Sequence, residues 1–264
     1  NQGNITINTN TPFKPSKEEI INQAFKYHSQ GNIHEASKYY QYFICQGLKD
    51  HRVFSNYGII LKNLGKLKEA ELFTRKAIDI NPSLADAHCN LGTILKNLGK
   101  IKEAENSYRK AIKINPDFAI ANSNLGGILR DFGKLEEAET FTRKAIEIKP
   151  DFADAHNNLG NILIDLSKFQ EAEISTRKAI ELNLNCAEAH YNLAGILRNQ
   201  NKLDESIYSY RKAIELKQDY KDAIAEMGRI MTLKGNYKEG LKKINEGYGC
   251  IIFDHITSTM RIEL

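Results

Sequence analysis

The sequence predicts an all-α fold, seven helical hairpins in tandem stacked into a superhelix, and three observations predict it. The first is a gapless period of 34 residues: ADAHCNLGTILKNLGKIKEAENSYRKAIKINPDF at 85–118 is followed by two close copies at 119–152 and 153–186. The second is a register of small residues, Ala24, Gly58, Gly92, Gly126, Gly160, Ala194 and Gly228 early in each unit, then Ala36, Ala70, Ala104, Ala138, Ala172, Ser206 and Gly240. The third is apolar spacing of helical period, as in Leu91, Ile94, Leu95 and Leu98, then Ile101, Ala104, Ala111 and Ile114.

Each element follows from local signals. Residues 1–16 are polar, contain Pro12 and Pro15, and read as an extended leader. Ser16-Lys17-Glu18-Glu19 has the spacing of a capping box, so the first helix starts at Lys17. Units then start at Lys17, His51, Ala85, Ala119, Ala153, Ala187 and Lys221, and the array spans 17–254. Gly31, Gly65, Gly99, Gly133 and Gly235 stand between the two helices of a unit, where a left-handed backbone reverses the chain. Ser167 and Asn201 fill that slot in two units, and Asn tolerates it better than Ser. A third small position holds Ala77, Ala111, Ala145, Ala179 and Ala213, but Phe43 in the first unit and Gly247 in the last. A hairpin cannot bury its apolar face alone, so stacking must create one continuous core.

On the second helices, Glu71 with Arg75, Glu105 with Arg109, Glu139 with Arg143 and Glu173 with Arg177 are i,i+4 pairs of a solvated outer face. Each pair is worth only about 0.2–0.5 kcal/mol. Gly240 and Gly247 fall inside the last helix, where Gly costs about 1 kcal/mol relative to Ala, so the C-terminal unit is expected to be the weakest. Residues 255–264 form a tail, a cap or the start of a further domain. Ile256, Met260, Ile262 and Leu264 alternate as a strand, paired with Cys250–Phe253 through a turn at Asp254-His255.

This repeat resembles the tetratricopeptide repeat. The small positions match, and the closing Pro is kept at Pro82, Pro116 and Pro150 but lost at Leu184 and Gln218. The first-helix Trp of that repeat is replaced by His88, His156 and His190, or by Ile, Phe and Asn elsewhere. The resemblance implies a right-handed superhelix with the first helices inside.

Composition and motifs exclude most chemistry. The chain is 41% hydrophobic and 27% charged with net charge +4, which is ordinary for a soluble protein and too weak a bias to imply nucleic acid. No apolar run approaches the length of a membrane span, no secretory h-region opens the chain, and the four Cys lack CxxC spacing. Together these imply reduced thiols in a cytoplasmic protein, and the Asn, Lys and Ile usage fits an AT-rich bacterial genome. GTILKNLGKI at 92–101 has six residues between its glycines and Ile after Lys, so it is no phosphate-binding loop. His88, His156 and His190 are a helix-packing step apart or more, on the order of 10 Å per helix, too far to share a metal ion. We expect no catalytic residue, metal or cofactor.

The informative pattern lies on the first helices. Asn22, Asn56, Asn90, Asn124, Asn158 and Asn192 hold one repeat position, with Glu226 departing from it. This row resembles the repeat region of the O-linked N-acetylglucosamine transferases. The resemblance implies an inner surface gripping the backbone of a threaded polypeptide, since an amide offers donor and acceptor to any peptide bond. The same amides could instead bond between neighbouring helices. Six residues on come Lys62, Lys96, Arg130 and Arg198, with His28 and Ile164 in the equivalent slots. Facing inward, these cations would favour an acidic segment; facing out, they are solvated charges. The chaperone-type Lys and Asn carboxylate clamp is not matched at Ile21, Ser55, Cys89, Ser123 or Asn157. The expectation is a scaffold whose groove, with Asn56, Asn90, Asn124, Asn158 and Asn192 beside Lys62, Lys96, Arg130 and Arg198, holds an extended protein or peptide. The rival reading is the substrate-docking arm of a larger enzyme such as a glycosyltransferase. RNA is disfavoured because the groove lacks interleaved aromatics.

Overall fold

The computed structural model describes residues 15–254 and 259–263. Its helical part is seven antiparallel hairpins: α1 Lys17–Ser29 and α2 Ile33–Cys45, α3 His51–Asn63 and α4 Leu67–Ile80, α5 Ala85–Asn97 and α6 Ile101–Ile114, α7 Ala119–Asp131 and α8 Leu135–Ile148. The remaining hairpins are α9 Ala153–Asp165 and α10 Phe169–Leu182, α11 Ala187–Asn199 and α12 Leu203–Leu216, then α13 Lys221–Leu233 and α14 Tyr237–Tyr248. The odd-numbered helices begin at the seven residues from which the sequence counts its units. Two strands follow, β1 Cys250–Asp254 and β2 Thr259–Glu263, antiparallel with Ile251 opposite Ile262. Strand β1 runs through Asp254, one residue into the expected turn, and residues 255–258 and 264 lie outside the described residues, as do residues 1–14.

Start and turn signals act as the sequence indicates. The Ser16 hydroxyl accepts from the Glu19 N–H at 3.3 Å, and the Glu19 carboxylate accepts from the Ser16 N–H at 2.7 Å, completing the capping box. Asp50 caps α3 by accepting from the Arg52 N–H. Burial pushes the Asp50 carboxyl up, but hydrogen bonds from Arg52 and Lys17 outweigh that and hold it at about 2. Between paired helices the chain passes through left-handed backbone, including the two non-glycine residues Ser167 (φ 58°) and Asn201 (φ 61°).

Backbone contacts gather into two compact units, Asn1–Asn124 and Leu125–Leu264. The N-terminal unit is cored by Ile20, Ile21, Tyr40, Phe43, Val53, Tyr57 and Ile60, with Phe54, Tyr57 and Phe73 in ring contact. In the C-terminal unit Leu159, Leu163 and Ile196 form one apolar cluster, and Tyr210, Ala213, Met227 and Ile230 another. The small-residue register explains the close helix approach. Ala70, Ala104, Ala138 and Ala172 are fully buried, and a Cβ at Gly92 would come within 2.7 Å of the Tyr108 ring. Gly240 and Gly247 are also packing residues: a Cβ at Gly240 would stand 2.7 Å from the Gly228 carbonyl, and one at Gly247 2.5 Å from the Lys221 carbonyl. The glycines read from sequence as weakening α14 are thus what lets it lie against α13.

Candidate peptide-binding face

Within the N-terminal unit the first helices α3 and α5 pack directly on each other. Each projects one asparagine of the row, Asn56 from α3 and Asn90 from α5, both half-exposed. Neither side chain has a hydrogen bond among the described residues, so both amides keep their full capacity to donate and accept. Six residues further on each helix, just under two turns, stand Lys62, half-exposed, and Lys96, exposed, neither in an ion pair among the described residues. Asn124 of α7, in the same row, hydrogen-bonds the thiol of Cys89. Cys89 is only 4% exposed, and burial pushes its thiol up to about 12 despite the nearby Lys62 ammonium. It is a packing residue and not a nucleophile.

In the C-terminal unit the same positions are more engaged. The Asn192 amide donates to Asn157 Oδ1 at 3.1 Å, a bond from α11 to the preceding first helix α9. Its carbonyl oxygen has no hydrogen bond among the described residues, and the residue is half-exposed. Asn158 is half-exposed beside it on α9. The cations are not free: Arg130 Nε donates to Asp165 Oδ2 at 2.6 Å, and Arg198 donates to Glu226 Oε2 at 2.5 Å. Glu226, which takes the asparagine position in the last repeat, is nearly buried and also receives Arg229 at 2.7 Å and the Tyr248 hydroxyl at 3.2 Å. The row therefore ends in a closed ionic cluster. Among the described residues no group of three or more His, Cys, Asp or Glu could hold a metal ion, and no helix is long and apolar enough to cross a membrane.

The repeat is independently recognisable. Models described as tetratricopeptide repeat match residues 51–84, 85–118, 153–186 and 187–220, and one described as TPR repeat matches 126–167. Together they cover more than half of the chain. The chain belongs to the tetratricopeptide-repeat family. No curated protein matches its sequence. Among solved structures, one reported for the functional characterization of Pseudomonas aeruginosa pilF is 22% identical with a TM-score of 0.66, covering 73% of this chain and 88% of that one. A tetratricopeptide repeat protein from Parabacteroides merdae is 16% identical with a TM-score of 0.68, covering 88% and 91%. At these identities the likeness is one of fold. YrrB, a TPR protein with an unusual peptide-binding site, is 25% identical with a TM-score of 0.54, covering 66% of this chain and 90% of that one.

Two cavities of this tetratricopeptide array lie away from the asparagine row, between successive second helices. One of about 720 Å³ is lined by Ile146, His156, Leu159 and Ile174, and one of about 620 Å³ by Ile180, His190, Leu193 and Tyr208. Their histidines are structural. His156 Nε2 meets the Pro150 carbonyl at 2.9 Å, as His88 meets Pro82 at 3.0 Å and Asn122 meets Pro116 at 3.2 Å. Each ties the turn that closes one repeat to the first helix of the next. The charged rims are internally satisfied, since Arg177 pairs with Glu173 and Glu205, and Lys178 with Glu181. Sequence reasoning missed this second-helix network. Glu71, Glu139 and Glu173 bond the Arg one turn along their own helix, as expected, but each also receives a Lys of the next repeat, Lys100, Lys168 and Lys202. These carboxylates are only 15–16% exposed, so they act as clasps between repeats and not as a solvated face. The signal was present as opposite charges about one repeat apart, an offset that becomes meaningful only once stacking is known.

Proposed function

We propose that this chain is a protein-binding scaffold whose first-helix face holds an extended polypeptide through its asparagine amides. The observation that carries the reading is Asn56 and Asn90, in one register on adjacent helices, half-exposed and without internal partners. A backbone-binding surface needs groups that donate and accept along a line, and a structural asparagine would have spent its amide inside the protein. On α7, Gly127 stands between the row's Asn124 and Arg130, and an added Cβ there would meet nothing within 4 Å, which leaves that helix open to close approach of a ligand main chain; α3 and α5 carry Ile59 and Thr93 at the equivalent position. Peptide binding by a TPR protein 25% identical to this one is in keeping with the reading.

A hydrogen bond nets about 0.5–1.5 kcal/mol, while micromolar affinity needs about 8 kcal/mol. The amides therefore give register and tolerance of sequence, and side-chain contacts supply the rest. The Asn56→Ala/Asn90→Ala protein should bind a fluorescent unstructured peptide about five- to 150-fold more weakly than wild type, with its thermal midpoint unchanged. Unaltered affinity, or loss of folding in place of loss of binding, would show that the row serves stacking. The likeness of the row to that of the O-linked N-acetylglucosamine transferases supports a second reading, a docking arm for an enzyme that modifies the held polypeptide. A catalytic domain in the same reading frame or in a co-purifying subunit would select that reading.

A further inference from the structure

We propose that the part of the face formed by α3 and α5 selects acidic segments whose carboxylates recur about every third residue, an inference that rests on the polypeptide-binding reading above. The four cations that share one repeat position divide into two kinds. Arg130 and Arg198 are closed by Asp165 and Glu226, which lie 35 and 28 residues further along the chain. Lys62 has Asn90 and Asn97 at those two offsets, neutral groups where the arginines find acids, while Lys96 has Asn124 at the shorter offset only. Asp131, at the longer offset from Lys96, makes no ion pair among the described residues. Lys62 and Lys96 are thus cations without an ion pair among the described residues, on the same helices as the open amides.

Geometry sets the spacing. Directly packed helices lie about 8–10 Å apart, and a chain in the polyproline II conformation advances about 3.1 Å per residue with three residues per turn, so neighbouring lysines meet side chains three residues apart on one face of the ligand. The acid of α5 that could oppose this, Asp86, is ten residues before Lys96, about 15 Å away along the helix. The lysines stand in the last turn of their helices, so an acidic segment crosses near those ends while its main chain runs over Asn56 and Asn90. Ammonium groups are also suited to this, since a flexible point charge accepts a carboxylate without demanding bidentate geometry.

The test uses the whole chain and three labelled peptides at low salt: five repeats of Gly-Ser-Glu, five repeats of Gly-Ser-Gln, and a peptide of the first composition with its Glu residues gathered at one end. Wild type should bind the spaced Glu peptide about tenfold more tightly than the Gln peptide, a preference that added salt removes. Lys62→Ala/Lys96→Ala should abolish the preference while keeping the affinity for the Gln peptide. Lys62→Glu/Lys96→Glu should reverse it, favouring five repeats of Gly-Ser-Lys. Equal binding of the Glu and Gln peptides by wild type, or a preference that survives the double alanine change, overturns the proposal and leaves the amide reading standing. Equal binding of the gathered and spaced Glu peptides overturns the spacing. Binding of neither peptide overturns both readings, and tighter binding of an oligothymidylate than of any peptide moves the partner class to nucleic acid.

Discussion

Gly126 and Gly127 are neighbours in one helix, yet alanine should have opposite effects at the two. A Cβ on Gly127 meets nothing within 4 Å, so the only change is the gain in helix propensity, about 0.5–1 kcal/mol. A Cβ on Gly126 collides with Thr142 Oγ1 and stands 3.1 Å from the Ala138 carbonyl. Thr142 cannot swing away freely, since it is fully buried and its hydroxyl already donates to that same carbonyl at 2.8 Å. Overpacking of this kind costs about 1–3 kcal/mol and exceeds the propensity gain. Thermal unfolding followed by circular dichroism should therefore show Gly127→Ala raised by roughly 2–4 °C and Gly126→Ala lowered by at least as much. Binding separates them again. Gly127 lies three residues from Asn124 and from Arg130, so its new methyl should weaken an unstructured peptide although the protein is more stable. A Gly127→Ala protein that is less stable than wild type would refute the packing argument, and one that binds undiminished would refute close approach of a ligand at that point.

Two further predictions concern the array itself. For Glu71, Glu139 and Glu173 burial pushes the carboxyl up, but hydrogen bonds from the two cations beside each bring the net below the ordinary value. Their folded pKa values being depressed, the stability they add is complete above the unfolded value of about 4.3 and is lost as pH falls through the folded values. The thermal midpoint should fall on acidification below that point, more steeply than in a Glu71→Gln/Glu139→Gln/Glu173→Gln variant; equal slopes would remove these residues as clasps. At Ser167, left-handed backbone costs a non-glycine residue about 1–2 kcal/mol, partly offset by the greater chain entropy of glycine. Ser167→Gly should gain up to about 1 kcal/mol in urea denaturation, and a loss would show that the side chain has a role of its own.

Much of the architecture was legible because a repeat reports each structural decision several times. A single Gly31 or Ala70 is weak information, but the same residue type at the same offset in unit after unit fixes hairpin, turn and close-packed face together. The left-handed slot was readable even where glycine is missing, at Ser167 and Asn201. Side-chain pairing between repeats was not readable. The fate of Arg130 and Arg198 depends on whether Asp165 and Glu226 stand opposite them after stacking, and Lys62 and Arg130, equivalent by register, differ only in what the next repeat offers. For the same reason the glutamates on the second helices looked like solvated partners of an arginine one turn away, when the nearer question was which lysine of the next repeat covers them. The asparagine row was visible as a row, but its division into open amides at Asn56 and Asn90 and a bonded one at Asn192 came only with the geometry.

The central claim is that the first helices of the hairpins, and not the clefts between the second helices, hold the polypeptide. Amide hydrogen exchange measured by mass spectrometry, with and without saturating Gly-Ser-Glu repeat peptide, tests it most directly. The account predicts added protection in α3 and α5, with α4 and α6 unchanged. Protection confined to second helices such as α10 and α12, around the cavities lined by Ile174 and Tyr208, would contradict it.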